Sequence, residues 1–257
     1  PDTAAPDASP NTGAPDATVP TPSPPPSSAA PRTSLLWSSD GTRVVVPQDA
    51  ALGEDSLGED YQKLDESEDR EEIRTTGKSP CATLPYSEAL AVGGRSITIG
   101  KPDPDGSMPD EWSLHAATRV FLEHGAAEQI RWLNENLADC GPADRTTSAT
   151  VEVEQSDDKN TTVLAHGVGI DPRHPDSVTV YSAVRVGRST TGFVLFTPAR
   201  IGEDRKERVT KALSTARGLM SLARTRLESS GLGPLSAKEI DLGGILRTSV
   251  QDADETK

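Results

Sequence analysis

Residues 178–186, "VTVYSAVRV", constrain the fold more than any other stretch. Val178, Val180, Ser182, Val184 and Val186 alternate with Thr179, Tyr181, Ala183 and Arg185. Successive side chains of a strand point to opposite faces, so this valine row marks a sheet face that another element must cover. Three further segments read as strands: "TSATVEVEQ", "NTTVLAHGVGI" and "TTGFVLFTPA". "SDDKN" and "RSTT" supply the polar turn residues inside two hairpins.

The cover is legible downstream. From about Glu203 to Glu228, residues Val209, Leu213, Ala216, Met220, Ala223 and Leu227 step by three or four. That spacing predicts one long amphipathic helix. Residues 200–228 also hold eight Lys or Arg against four Asp or Glu. Arg205, Arg208, Arg217, Arg224 and Arg226 are read as its solubilising outer face, docked to acidic residues upstream. An anion-facing surface is the alternative.

Upstream, "TRVVV" reads as a short strand, and Asp49 as the cap of one or two helical turns before Ala50, Ala51 and Leu52. Residues 54–72 hold ten Asp or Glu against Lys63 and Arg70, the pattern of a solvated strand edge or loop. "DESEDREE" lacks the Gly turn of a calcium loop. "SITIG" alternates like a strand, and "KPDPDGSMPD" is a loop. "EWSLHAATRVFLEH" fits either period, and Thr118, Val120 and Phe121 favour a strand. Ala127, Ile130, Leu133 and Leu137 then predict a first helix that ends at Cys140, with Gly141 as its stop. The expected fold class is therefore α/β of the α+β kind. A mostly antiparallel sheet is covered by two helices, the second long and C-terminal.

Three regions follow along the chain. Residues 1–34 contain ten of the 21 prolines and no aromatic residue. Such a composition cannot bury enough surface to offset chain entropy, so it reads as a semi-extended spacer of the kind that joins a membrane anchor to a folded head. Residues 35–230 are expected to form a single extracytoplasmic domain. Residues 231–257 form a polar tail, in which Ser236 and Glu239 have capping-box spacing for one short helix. The net charge of -14 argues against a nucleic-acid partner, because phosphate binding needs clustered cations. No run of 18 apolar residues is present, so a membrane is expected to hold this chain only through an anchor N-terminal to it.

Two cysteines, Cys81 and Cys140, stand 59 positions apart. A nucleophile, a metal ligand, a buried thiol and half of a cross-link are the four readings of each. No CxxC pair suggests zinc, and no His lies in a nucleophile signature. The partial negative charge of a helix C-terminus also disfavours a thiolate at Cys140. A disulfide fits an exported chain best and would contribute about 4 kcal/mol on the chain-entropy account.

No GxSxG, Walker A or HExxH sequence is present. His166 and His174 flank "GVGIDPR" beside Asp171 and Asp176, a polar loop more readily than a loose metal site. Neither a metal nor a cofactor is therefore expected. Trp112, Tyr181, Phe193 and Phe196 are read as core. Trp132 sits at the edge of the first helix's apolar face. With Tyr181 and Arg185, on the sheet face opposite the valine row, it could form part of a groove.

The order of segments resembles a known group. "ALGEDSLGEDY" precedes an acidic strand and "SPCATLP"; a strand, a helix ending "LADCG", a meander with "AVRVG" and a long last helix follow. Over about residues 47–228 this is similar to the secreted sensor-like domains of actinobacteria, the PknH-like extracellular domain family. That family includes lipoproteins and receptor-kinase ectodomains. Its most specific elements here are Cys140 at the helix end and the hairpin residues Arg185, Val186 and Gly187. The resemblance implies a disulfide-held α/β head outside the cell, sensing a ligand or partner without catalysis. Kinase-attached members can carry more than one disulfide, whereas this chain can form only one.

The expected function is thus a non-catalytic, sensor-like binding domain for a small molecule or cell-envelope component. A structural or assembly factor of the envelope is the alternative. A hydrolase using His166 or His174 is a third reading, and it would need several polar side chains converging in a pocket.

Overall fold

Alternation in the sequence becomes a seven-stranded sheet in the computed structural model, which describes residues 44–67, 91–101, 112–121, 124–137, 151–156, 161–170, 174–199 and 202–232. The strands are β1 (Gln62–Ser67), β2 (Ala91–Gly100), β3 (Ser113–Phe121), β4 (Val151–Ser156), β5 (Thr162–Val168), β6 (Val178–Val186) and β7 (Ser189–Thr197). Their spatial order is β1-β2-β3-β7-β6-β5-β4, and every neighbouring pair is antiparallel. Two meanders therefore meet where β3 pairs with β7. Helix α1 (Gly125–Asn136) follows β3, and helix α2 (Arg205–Ser229) follows β7. The α+β class expected from the sequence is what the chain adopts.

The valine row faces α2. Val178, Val180 and Val184 share one cluster with Leu164, Ile97, Ile99, Leu114, Phe193 and Leu195 from the other strands. Ala212, Leu213, Ala216, Leu219, Met220, Leu222, Ala223 and Leu227 of α2 close that cluster. Full burial of a leucine such as Leu219 stabilises by roughly 2 kcal/mol relative to exposure. The helix begins at Asp204, whose Oδ1 accepts from the backbone N–H groups of Lys206 at 2.9 Å and Glu207 at 3.1 Å. Such a cap typically contributes about 1 kcal/mol.

Leu52 and Leu57 join the same cluster beside the helix. They lie on two short 3-10 turns, Gln48–Ala50 and Glu54–Ser56, and their flanks. Asp49 sits within the first turn, and Pro47 holds the N-cap position with no side-chain cap, contrary to the capping role expected of Asp49. Of "TRVVV", the described residues are Val44 to Val46, where Val44 makes a bridge and its N–H donates to Val92 O at 2.7 Å. The β6–β7 turn is Gly187–Arg188, one residue earlier than "RSTT" suggested, because Val186 pairs directly with Ser189. Gly187 supplies the positive φ (57°) that such a tight turn requires.

Two of the five arginines read as an outer helix face are buried. Arg208 donates from Nε to Glu203 Oε2 at 3.0 Å, from Nη2 to Glu203 O at 3.1 Å, and from Nη1 to Asp176 O. Arg226 donates from Nη1 to Ala51 O at 2.5 Å and from Nη2 to Asp55 Oδ2 at 2.6 Å. Periodicity places both toward the sheet side, and paired acceptors make their burial tolerable. Arg205, Arg217 and Arg224 are exposed, as expected. Among the described residues, Arg226 reaches the acidic segment, through Asp55.

Helix α1 lies on the opposite face. Ile130, Leu133 and Leu137 pack on Val151, Val163, Ala165, Tyr181 and Ala183. Gln129 reaches β7, where Thr190 Oγ1 donates to its Oε1 at 2.7 Å. The helix ends at Asn136, with Leu137 at the C-cap, four residues before Cys140. Cys81, Cys140, the spacer 1–34 and the tail helix expected near Ser236 all lie outside the described residues. The packing runs to Leu232, two residues past the expected boundary at 230. Leu232 is buried with Val44, Val46 and Val120, and its carbonyl accepts from Ser189 Oγ at 2.6 Å.

Candidate functional site

Register determines which side chains share the α1 face. One line across the sheet runs Asp65, Thr98, His115, Val194, Tyr181, Ala165 and Val153. Ala165 lies under α1 and is fully buried. On the other side of the helix the face is only partly covered. Thr98, Val194 and Tyr181 are half-buried, and His115 is exposed. Ala117, Gly192 and Phe196, on the adjoining lines, are half-buried too. The result is a shelf over β2, β3, β7 and β6, bordered by the α1 cluster.

The shelf is electrically neutral along its middle. Thr98 Oγ1 and His115 Nδ1 are hydrogen-bonded at 3.0 Å. Desolvation on the sheet face, then the like charge of Arg119, holds the His115 ring below the ordinary imidazole range. Burial pushes the Tyr181 hydroxyl up to about 12. Around neutral pH these two therefore present an uncharged imidazole and a phenol that can donate a hydrogen bond. Val194 and Phe196 add apolar area between and beside them. At one end of β7, the His174 ring meets Phe196 edge-on, with centroids 5.5 Å apart.

A pH prediction follows from Tyr181. Its folded value lies above its ordinary 10.0, so the folded state holds the proton longer than the unfolded chain does. The stability this contributes is complete below pH 10 and is lost as pH rises from 10 toward 12. Absorbance titration near 295 nm should show one of the three tyrosines ionising late, and Tyr181→Phe should remove that late step. For His115 the shift has the opposite sign. The folded state resists protonation, so its contribution is present above pH 6.5 and is lost as pH falls through the folded value.

Two of the three residues read from the sequence as a groove lie on β6 and one on α1. Tyr181 packs against the α1 cluster. Arg185 lies four residues along the same strand face, about 13 Å away at strand rise. Its Nη1 turns back to Gly187 O at 3.2 Å. Trp132 is half-buried on α1, off the stripe that meets the sheet, and its backbone carbonyl accepts from Asn136 Nδ2 at 2.8 Å. Of the three, Tyr181 alone belongs to the shelf line. Among the other aromatics read as core, Trp112 and Phe193 are buried, whereas Phe196 is half-buried on the shelf.

His166 and His174 do not form one loop site. Opposite residues in register share a face, and His166 pairs with Val180 on the α2 side. His174 meets Phe196, which is on the α1 side. His166 instead faces Glu152 and Glu154 across the β4–β5 hairpin. Sequence reading missed Thr98, His115, Val194 and the two glutamates. Alternation in "SITIG" and "VEVE" carries a signal for their faces, but the cross-strand register that brings them to their partners does not follow from it.

No protein-family model matches the chain, and no curated protein matches it. Among solved structures, it is similar to the extracellular domain of PknH from Mycobacterium tuberculosis, at 9% identity and a TM-score of 0.42. That similarity covers 65% of this chain and 87% of the other. It is a remote likeness, and neither family nor activity transfers across it. No helix among the described residues is long and apolar enough to cross a membrane.

Proposed function

We propose that the chain is a non-catalytic, extracytoplasmic, sensor-like binding head. Residues from about 35 through Leu232 make up the head, and the spacer 1–34 links it to a membrane anchor. The ligand is an uncharged, amphipathic part of a cell-envelope component, such as a sugar ring. It lies on the shelf beside α1.

The observation that carries this reading is the unequal cover of the two sheet faces. Helix α2 and the 44–57 segment bury the middle of one face under two apolar clusters. The other face keeps Thr98, His115, Val194, Phe196 and Tyr181 within reach of solvent. Aromatic and apolar area with a few hydrogen-bonding groups is what a neutral ligand needs. An extracytoplasmic location rests on the spacer composition and the expected Cys81–Cys140 disulfide.

An assembly role would call for a broad exposed apolar patch. Among the described residues the exposed large apolar side chains are Leu64 and Val153, on opposite edge strands. They cannot form one patch, so the ligand-binding reading is favoured. Titration with soluble peptidoglycan fragments, followed by thermal shift, tests it. A saturable rise in melting temperature that Thr98→Ala with His115→Ala abolishes would support the reading. Turnover of the fragments, or no response to any of them, would overturn it.

A further inference from the structure

We propose that Glu152, Glu154 and His166 form a binding site for one divalent transition-metal cation of the zinc type. The site lies on the β4–β5 hairpin, on the α2 side of the sheet and away from the shelf.

Register brings the three together. Glu152 is paired with His166, and Val153 with Ala165. Gln155 then pairs with Leu164, so Glu154 is the extra residue of a β-bulge. A bulge re-aims a side chain, and here it leaves a second carboxylate beside the same imidazole. One ligand atom from each residue lies within 4.8 Å of the other two. Both glutamates are exposed, whereas the His166 side chain is only 8% exposed.

The buried imidazole is the independent observation. Its Nδ1 lies 3.0 Å from Glu154 Oε1 but without hydrogen-bonding alignment, so this buried nitrogen has no hydrogen bond. Its Nε2 stands 4.0 Å from Glu152 Oε2, beyond hydrogen-bonding range. Among the described residues, no Lys or Arg forms an ion pair with either glutamate. A buried ring nitrogen without a hydrogen bond, beside two carboxylates that no Lys or Arg among the described residues pairs, is a donor set suited to a cation.

The donor set selects the metal class. One imidazole and two carboxylates suit zinc and its first-row neighbours, whereas calcium and magnesium prefer all-oxygen sites. With bonds of about 2.1 Å, ligand atoms around a tetrahedral ion lie about 3.4 Å apart. The Glu154–His166 contact is already that short. Glu152, at the exposed edge, has to swing in by about 1.4 Å at most. The fourth position then opens to solvent.

The test is titration of the full chain with zinc ions after chelator treatment, followed by calorimetry. It is run without reductant and repeated after alkylation of any free thiol. Expected is one equivalent of saturable binding, with loss of the free Nδ1 signal of His166 in long-range nitrogen–proton spectra. Glu154→Gln and Glu152→Gln, at exposed positions, should each weaken binding at least about ten-fold. His124→Ala with His174→Ala, which removes two of the three other described histidines, should leave it unchanged. No saturable uptake would overturn the site. So would binding that survives both glutamine variants, or binding that disappears with those histidines or on alkylation.

Discussion

Replacing Arg226 by alanine is expected to lower the unfolding free energy by about 3 kcal/mol, because it removes the donor to the Ala51 carbonyl and the packing of a buried side chain. The guanidinium is 3% exposed and ties the end of α2 to Ala51 O and Asp55 Oδ2. Alanine would leave the Ala51 carbonyl without that donor and open space beside Leu52 and Leu57. Asp55 is half-exposed, so Asp55→Asn should cost less, about 1 kcal/mol. Arg217→Ala and Arg224→Ala, on the exposed face, should stay within about 0.5 kcal/mol of the parent. Urea unfolding of the four variants checks the ranking. Equal losses at Arg226 and Arg217 would mean that the arginines act only as a solvated stripe.

Gly93→Ala is expected to be as damaging, about 3 kcal/mol, for a steric reason. A Cβ at Gly93 would stand 2.1 Å from Val44 O and 2.9 Å from Val44 C, both backbone atoms. The Val44 backbone donates to Val92 O, and it cannot retreat without giving up that bond. The cluster of Val44, Val46, Ala50, Val120 and Leu232 would come apart with it. Gly192→Ala is the control. There the nearest atoms would lie at 3.7 and 3.8 Å, ordinary contact, and a change under about 0.5 kcal/mol is expected. Melting curves of the two variants separate the cases.

Both predictions arise where periodicity stops being informative. The valine row of β6 and the apolar stripe of α2 are local patterns, each readable within one element, and they led directly to the covered face. Strand β3 was legible because Thr118, Val120 and Phe121 resolved an ambiguous period. Arg208 and Arg226 were not legible as buried groups. A charge count over 200–228 does not show that Asp55, 171 residues upstream, supplies an acceptor. The pairing of β3 with β7 is likewise non-local, and it creates the shelf by setting His115 opposite Val194. Of the residues read as a groove, Tyr181 and Arg185 lie on the sheet face opposite the valine row, about 13 Å apart at strand rise, and Trp132 lies on α1. The zinc-type site depends on a single bulge in β4, which no alternation pattern announces.

On the proposed function, the half-covered sheet face receives the ligand. Backbone amide chemical-shift mapping, with soluble peptidoglycan fragments added to isotope-labelled protein, tests it most directly. Saturable shifts are expected at Thr98, His115, Gly192, Val194, Phe196 and Tyr181, with the α2 residues Leu213 to Leu227 unmoved. Shifts confined to α2 or the 44–57 segment, or none along the shelf at saturation, would contradict it.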